Sequence, residues 1–183
     1  MTDYVLQTQD VRVFRSYQEE YSWLVTDDER LSWIAEHIKA VTETGNTLVL
    51  VNRIDTGNKL LAKLNDAVFI SGEVKLHERK EEYDEFAVSD GKIAIATYGI
   101  AAVGLNIPRI FNLVLVEPGK SFVRVIQSIG RGIRKAEDKD FVQIWDVTST
   151  CKFAKRHLTK RKQYYKEAKY PFTQEKLEWM KIK

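Results

Sequence analysis

Gln127, Arg131 and Arg134, in the run QSIGRGIRK from Gln127 to Lys135, are the side chains of this chain best suited to chemistry. Arg131 and Arg134 stand three residues apart, so a helix places them on one face. Two planar, permanently charged guanidinium groups side by side match a multiply charged oxyanion such as a triphosphate. Gly130 leaves room for another backbone to approach. Taken alone, the run reads first as a solvated helix end, since a charged helix end with two arginines is common.

A second group lies in the loop Thr97 to Pro108, TYGIAAVGLNIP. Thr97 and the backbone N–H groups of a short helix starting there suit a phosphate, and Asn106 suits a ribose hydroxyl. The plainer reading is a tight turn whose glycines serve backbone geometry only. A third group is the tail CKFAKRHLTKRKQYYKEAKY. Lys152, Lys155, Arg156, Lys160 and Gln163 share a helical face there, with Tyr164 and Tyr165 close by. Cations interleaved with aromatics fit a nucleic-acid strand, through phosphate neutralisation and base stacking. The alternative is a helix packed by Phe153, Leu158 and Tyr165 whose lysines are merely solvated.

The elements that must position these groups follow from patterning. Thr26 and Glu29 form a capping box, and Leu31, Ile34, Ala35, Ile38 and Val41 continue at helical spacing. This predicts a helix over about 27–43, closed by Gly45. NTLVLV (46–51) is a short apolar run typical of a strand buried on both faces. Further strands are expected at 67–70, 92–96, 113–116 and 141–147, with helices at 54–64 and 73–88. Strands alternating with helices imply a parallel α/β sheet covered on both faces, with ligands beyond the carboxyl ends of its strands. The loose alternation of residues 2–17 suggests an edge strand or a linker.

Composition narrows the class. The chain has 183 residues, 30% of them charged, and a net charge of +3. Residues 151–183 hold eleven Lys/Arg against three Asp/Glu, while residues 1–150 hold eighteen against twenty-three. The basic tail is therefore a candidate phosphate-backbone footprint. No apolar run is long enough to span a bilayer and no signal peptide is visible, so a cytoplasmic protein with no membrane partner is expected. Cys151 is the only cysteine, which excludes an internal disulfide. His37, His77 and His157 are dispersed, so no metal site is expected, and solvated or capping roles suit them. Gly119-Lys120-Ser121 imitates a phosphate-binding lysine loop. A true loop needs a glycine five residues before Gly119, and that position is Val114.

The Thr97 loop followed by QSIGRGIR resembles the fifth and sixth motifs of superfamily 2 helicases. TLVLVN (47–52) resembles the fourth motif, and SGEVKLHERKEEYDEF (71–86) the helix after it. The segment from Asp146 to Trp179 is similar to that of phage recombination helicases that remodel branched DNA. Two departures stand out: Leu76 occupies the usual glutamine position of the helix, and Asn106 an often acidic position of the fifth motif.

The resemblance implies a RecA-like domain over 27–148, flanked by an N-terminal linker or edge strand (1–26) and a basic helical extension (149–183). Carried over by position, Arg131 and Arg134 become arginine fingers. Gln127 contacts phosphate or helps to couple the two domains, Gly104 and Asn106 border the ribose, and Thr97 and Arg79 hold the nucleic-acid backbone; the charge of the tail adds Lys152, Lys155, Arg156 and Lys160 to that grip. The chain has no G-x-x-x-x-G-K-[ST] and no DEx[DH] box. The implied partners are therefore an N-terminal RecA-like domain holding ATP and Mg2+, and branched or single-stranded DNA. If the chain is phage-encoded, the compartment is the host cytoplasm. A binding or annealing module without ATPase activity is the competing expectation.

Overall fold

The computed structural model of the chain describes residues 2–70, 76–105, 107–119, 126 and 142–179. Its strands are β1 (Thr2–Thr8), β2 (Asn46–Val51), β3 (Val68–Ile70), β4 (Ile93–Thr97), β5 (Ile110–Val116), β6 (Gln143–Ser149) and β7 (Phe172–Leu177). The described helices are α1 (Tyr17–Thr26), α2 (Asp28–Thr42), α3 (Ile54–Lys63), α4 (Leu76–Ala87), α5 (Tyr98–Gly104) and α6 (Lys152–Glu167). The strands form one sheet in the order β3-β4-β2-β5-β6-β1-β7, and every pairing is parallel.

Period-two alternation splits β2 between two cores. Leu48 and Leu50 join Phe86 of α4, Ala101 of α5 and Leu158 and Tyr165 of α6. Val49 and Val51 join Leu31, Ile34 and Ile38 of α2 and Leu60 of α3. All six β2 residues are buried, the apolar four as a strand covered on both faces requires and Asn46 and Thr47 through side-chain hydrogen bonds. Gly57, inside α3, is set by packing. A Cβ there would lie 1.9 Å from the Phe69 ring, so α3 reaches β3 only over a bare backbone.

Three local expectations are corrected. β1 is an interior strand, neither edge nor linker. It pairs with β6 on one side and β7 on the other, and its polar residues have cross-strand partners, such as Gln7 Nε2 to the Ser149 carbonyl at 3.1 Å and Gln174 Nε2 to Gln7 Oε1 at 2.9 Å. Those bonds let a strand of weak apolar alternation sit inside a sheet. The helix over 28–42 is capped by Asp27, whose carboxylate accepts from Arg30 N at 3.0 Å. Thr26 instead ends α1 and donates to the Ser22 carbonyl. The residues after α6 are not wholly helical, because β7 closes the sheet beside β1.

Candidate functional site

Successive connections leave β2 and β5 in opposite directions across the sheet, which opens a crevice at their carboxyl ends. A cleft of about 930 Å3 lies there, lined by Asn52 after β2, Pro118 and Gly119 after β5, Tyr17 of α1, and Phe153, Arg156, His157, Lys160 and Gln163 of α6. Tyr17 meets the Phe153 ring edge-on at 5.9 Å and the His157 ring at 5.2 Å. Aromatic rings from α1 and α6 thus stand beside the α6 cations Arg156 and Lys160, a combination suited to a nucleotide or a nucleic-acid strand.

The floor is held by buried charge. Arg30 Nη2 meets Glu117 Oε1 at 2.8 Å, and Thr148 Oγ1 donates to Glu117 Oε2 at 3.1 Å. Arg30 Nη1 also donates to the Leu24 carbonyl at 2.6 Å, which ties α1 over the strand ends. Burial raises the Glu117 carboxyl above its ordinary range, against the pull of Arg30. Glu117 has φ 44°, a left-handed backbone costly for a residue with a side chain. Its side-chain bonds hold the turn that carries Pro118 and Gly119 into the cleft.

α6 is anchored at both ends. Its first turn donates to the Glu20 carboxylate of α1, from Phe153 N at 3.0 Å and Ala154 N at 2.9 Å. A carboxylate there satisfies orphan donors and complements the helix dipole. Further along, Arg161 grips Asp146 of β6 with two bonds of 2.8 and 2.9 Å, and Tyr165 Oη donates to the same carboxylate at 2.8 Å. Asp3 of β1 is wholly buried nearby. Burial, then the Asp146 carboxylate, push Asp3 up to about 8, so at neutral pH it is mostly protonated.

The opposite face of α6 carries exposed Lys152, Lys155, Arg156 and Lys160. Lys152 Nζ and Arg156 Cζ lie 5.5 and 5.7 Å from the Phe153 ring centre. Among the described residues none of these four cations forms an ion pair. Packed helix and cationic face therefore coexist: Leu158 and Tyr165 are buried while the lysines point outward.

Thr97 ends β4 and caps α5, its hydroxyl accepting from Ile100 N at 3.4 Å. That bond occupies one lone pair and leaves the hydroxyl proton available. Gly104 is the last residue of α5. Arg79 lies in α4, with its side chain outside the described residues. Asn106, Gln127, Arg131 and Arg134 also lie outside them. Among the described residues no cluster of three His, Cys, Asp or Glu side chains is placed to hold a metal ion.

His37 is neither solvated nor a cap. It stacks on Trp33 and meets Trp145 edge-on at 5.0 Å, and burial lowers its pKa to about 4. Cys151 is buried and its thiol is pushed up to about 11, far from a reactive thiolate. Asn52 was within reach of sequence, as the end of the motif-like run 47–52, whereas Tyr17, Glu20 and the pairing of Asp146 with Arg161 escaped it. Of the latter, only Arg161, at helical spacing from Tyr165 inside the basic tail, carried a signal.

A fully parallel sheet, helices on both faces and an open crevice at the strand ends define a RecA-like α/β domain. The family model described as helicase conserved C-terminal domain matches residues 29–136. The chain belongs to that family, as a superfamily 2 helicase C-terminal domain. It is 26% identical over 155 residues to the ATP-dependent DNA helicase uvsW of Enterobacteria phage T4, covering 82% of this chain and 31% of that protein. It is 35% identical over 104 residues to putative helicase 22 of Sulfolobus islandicus filamentous virus, covering 55% of this chain and 18% of the relative. The chain thus spans less than a third of either relative. The crystal structure of T4 UvsW superposes with TM-score 0.82 at 20% identity, over 97% of this chain and 41% of that one. S. cerevisiae Dbp5 bound to RNA and ADP BeF3 gives 0.64 at 17% identity, over 96% and 41%. No described helix is long and apolar enough to cross a membrane.

Proposed function

We propose that the chain is the C-terminal motor half of an ATP-dependent DNA helicase or translocase that remodels branched DNA. The observation that carries this reading is the family match across 29–136 together with the likeness to a DNA helicase over 82% of the chain. ATP and Mg2+ would be held by a first RecA-like domain, and ATP supplies a phosphoanhydride whose cleavage releases the closed pair of domains. Arg131 and Arg134 would neutralise charge developing on the phosphoryl oxygens when the domains close. Gln127 would contact phosphate or help to couple the two domains, and Gly104 and Asn106 would border the ribose. Thr97, Arg79 and the cations Lys152, Lys155, Arg156 and Lys160 would grip the backbone of the DNA. The cleft beside Asn52 and Gly119 supports this assignment, since it is large enough for a nucleotide and its cations lack carboxylate partners among the described residues.

The test is ATPase activity with and without a forked or four-way DNA, first for this chain and then for the chain joined to the Walker-bearing domain of its source. Silence alone and DNA-stimulated turnover together are expected. Arg131→Ala or Arg134→Ala should lower kcat about a thousandfold or more while leaving DNA affinity nearly unchanged. Ready ATP hydrolysis by the chain alone contradicts the proposal.

The exposed cationic face of α6 favours a second reading, a binding or annealing module without ATPase activity. It predicts silence in both preparations with tight, salt-sensitive DNA binding. Loss of Arg131 and Arg134 would then cost no more affinity than loss of any two exposed cations.

A further inference from the structure

Between β1 and α1 the chain runs through residues 9–16, QDVRVFRS, at the carboxyl edge of the sheet. The root of this loop is fixed. Asp10 accepts from Thr8 Oγ1 at 2.7 Å, Ser149 Oγ at 2.5 Å and Trp179 Nε1 at 2.8 Å. Phe14 packs on Trp23 at 5.7 Å, and the Arg12 guanidinium lies 5.2 Å from the same ring. Between those anchors Val11 and Val13 are 87% and 94% exposed. A fixed loop that turns two β-branched aliphatics to solvent gains nothing in its own stability from them.

A groove of about 520 Å3 separates this loop from α6. Arg12, Val13 and Phe14 form one wall, and Lys152, Lys155 and Arg156 the other. The acids nearest its floor are engaged, Asp10 by the loop root and Glu20 by the first turn of α6. Cations from two elements therefore face one channel, among the described residues without an ion-pair partner. We propose that this groove takes one phosphodiester strand, with Arg12 and the α6 cations on its phosphates and Val11 and Val13 as an apolar ridge against its sugars and unstacked bases. The charge calls for a polyanion, and the ridge calls for one that also offers apolar faces, which a nucleic-acid single strand does. The inference rests on the proposed role of the α6 cations in DNA binding and adds a second wall.

The experiment is fluorescence anisotropy of a labelled 20-nucleotide oligothymidylate with the 183-residue chain across a salt series. Val11→Ser/Val13→Ser should weaken binding about fivefold with an unchanged salt slope, because no charge is lost. Arg12→Ala should weaken binding and reduce the slope of log K against log salt by about 0.7. Val88→Ser, at a valine 85% exposed after α4, should bind like the parent chain. The fold is checked by the urea midpoint, which these surface changes should leave in place.

If Lys152→Ala/Lys155→Ala/Arg156→Ala weakens binding but the loop variants do not, the ridge is refuted and the α6 assignment stands. If the triple variant also binds normally, the α6 assignment itself fails. Loop variants that bind DNA normally, yet lower the ATPase of the chain joined to its first domain, would make the loop an interdomain contact and overturn the proposal.

Discussion

Asp146, Arg161, Tyr165 and Asp3 form the most consequential group of side chains buried in the described structure. Removing one member of a buried ion pair leaves an uncompensated charge and costs about 3–5 kcal/mol. Arg161→Met should therefore destabilise the chain strongly, read as a fall in urea midpoint. Tyr165→Phe, which removes one bond to the same carboxylate, should cost about 1–2 kcal/mol. Asp3 adds a pH dependence. Its folded pKa of about 8 lies above the roughly 3.9 of an unfolded aspartate. Across that window the folded chain keeps a proton that the unfolded chain has lost, so this contribution to stability falls as pH rises from about 4 to about 8. Asp3→Asn removes the titration, and the difference in urea midpoint between pH 5.5 and pH 8.5 should shrink. An unchanged difference would mean that Asp3 is ionised in the fold. Cys151 should likewise react with a thiol reagent at neutral pH only after unfolding, given its burial and its pKa of about 11.

At the scale of elements, what sequence conveyed and what it withheld divide along physical lines. β2 was legible to its ends because six consecutive buried positions leave no polar residue at the surface to blur the run. α2 was legible from its 3.6-residue stripe, but its cap shifted by one, because Thr26, Asp27 and Asp28 are all competent caps and tertiary contacts choose among them. α1 was missed: its buried residues include Glu20 beside Leu24 and Val25, and a buried glutamate is invisible to apolar periodicity. The cations of α6 were readable from spacing and charge, whereas the cleft they line joins residues from four distant parts of the chain. Glu20 supplies an element-scale test. Glu20→Gln keeps the shape of the α6 cap but removes its charge, so a loss of about 0.5–2 kcal/mol is expected, measured by thermal melting. Gly57→Ala, favourable by about 1 kcal/mol for an isolated helix, should instead destabilise through its collision with Phe69.

At the largest scale, the described strands form one parallel sheet in which β1 and β7 are neighbours. β1 ends up between β6 and β7, with Leu6 opposite both Val147 and Glu175. Synthesis from the N-terminal side must therefore leave β1 unpaired until β6, which starts about 135 residues further on, has left the ribosome. At about 5–20 residues per second, that interval lasts roughly 7 to 27 seconds. The nascent chain is exposed throughout to unwanted pairing along both edges of β1. The buried Asp3, still a free and charged carboxylate during that wait, gives the waiting strand a repellent that vanishes only when folding closes over it and it takes up its proton.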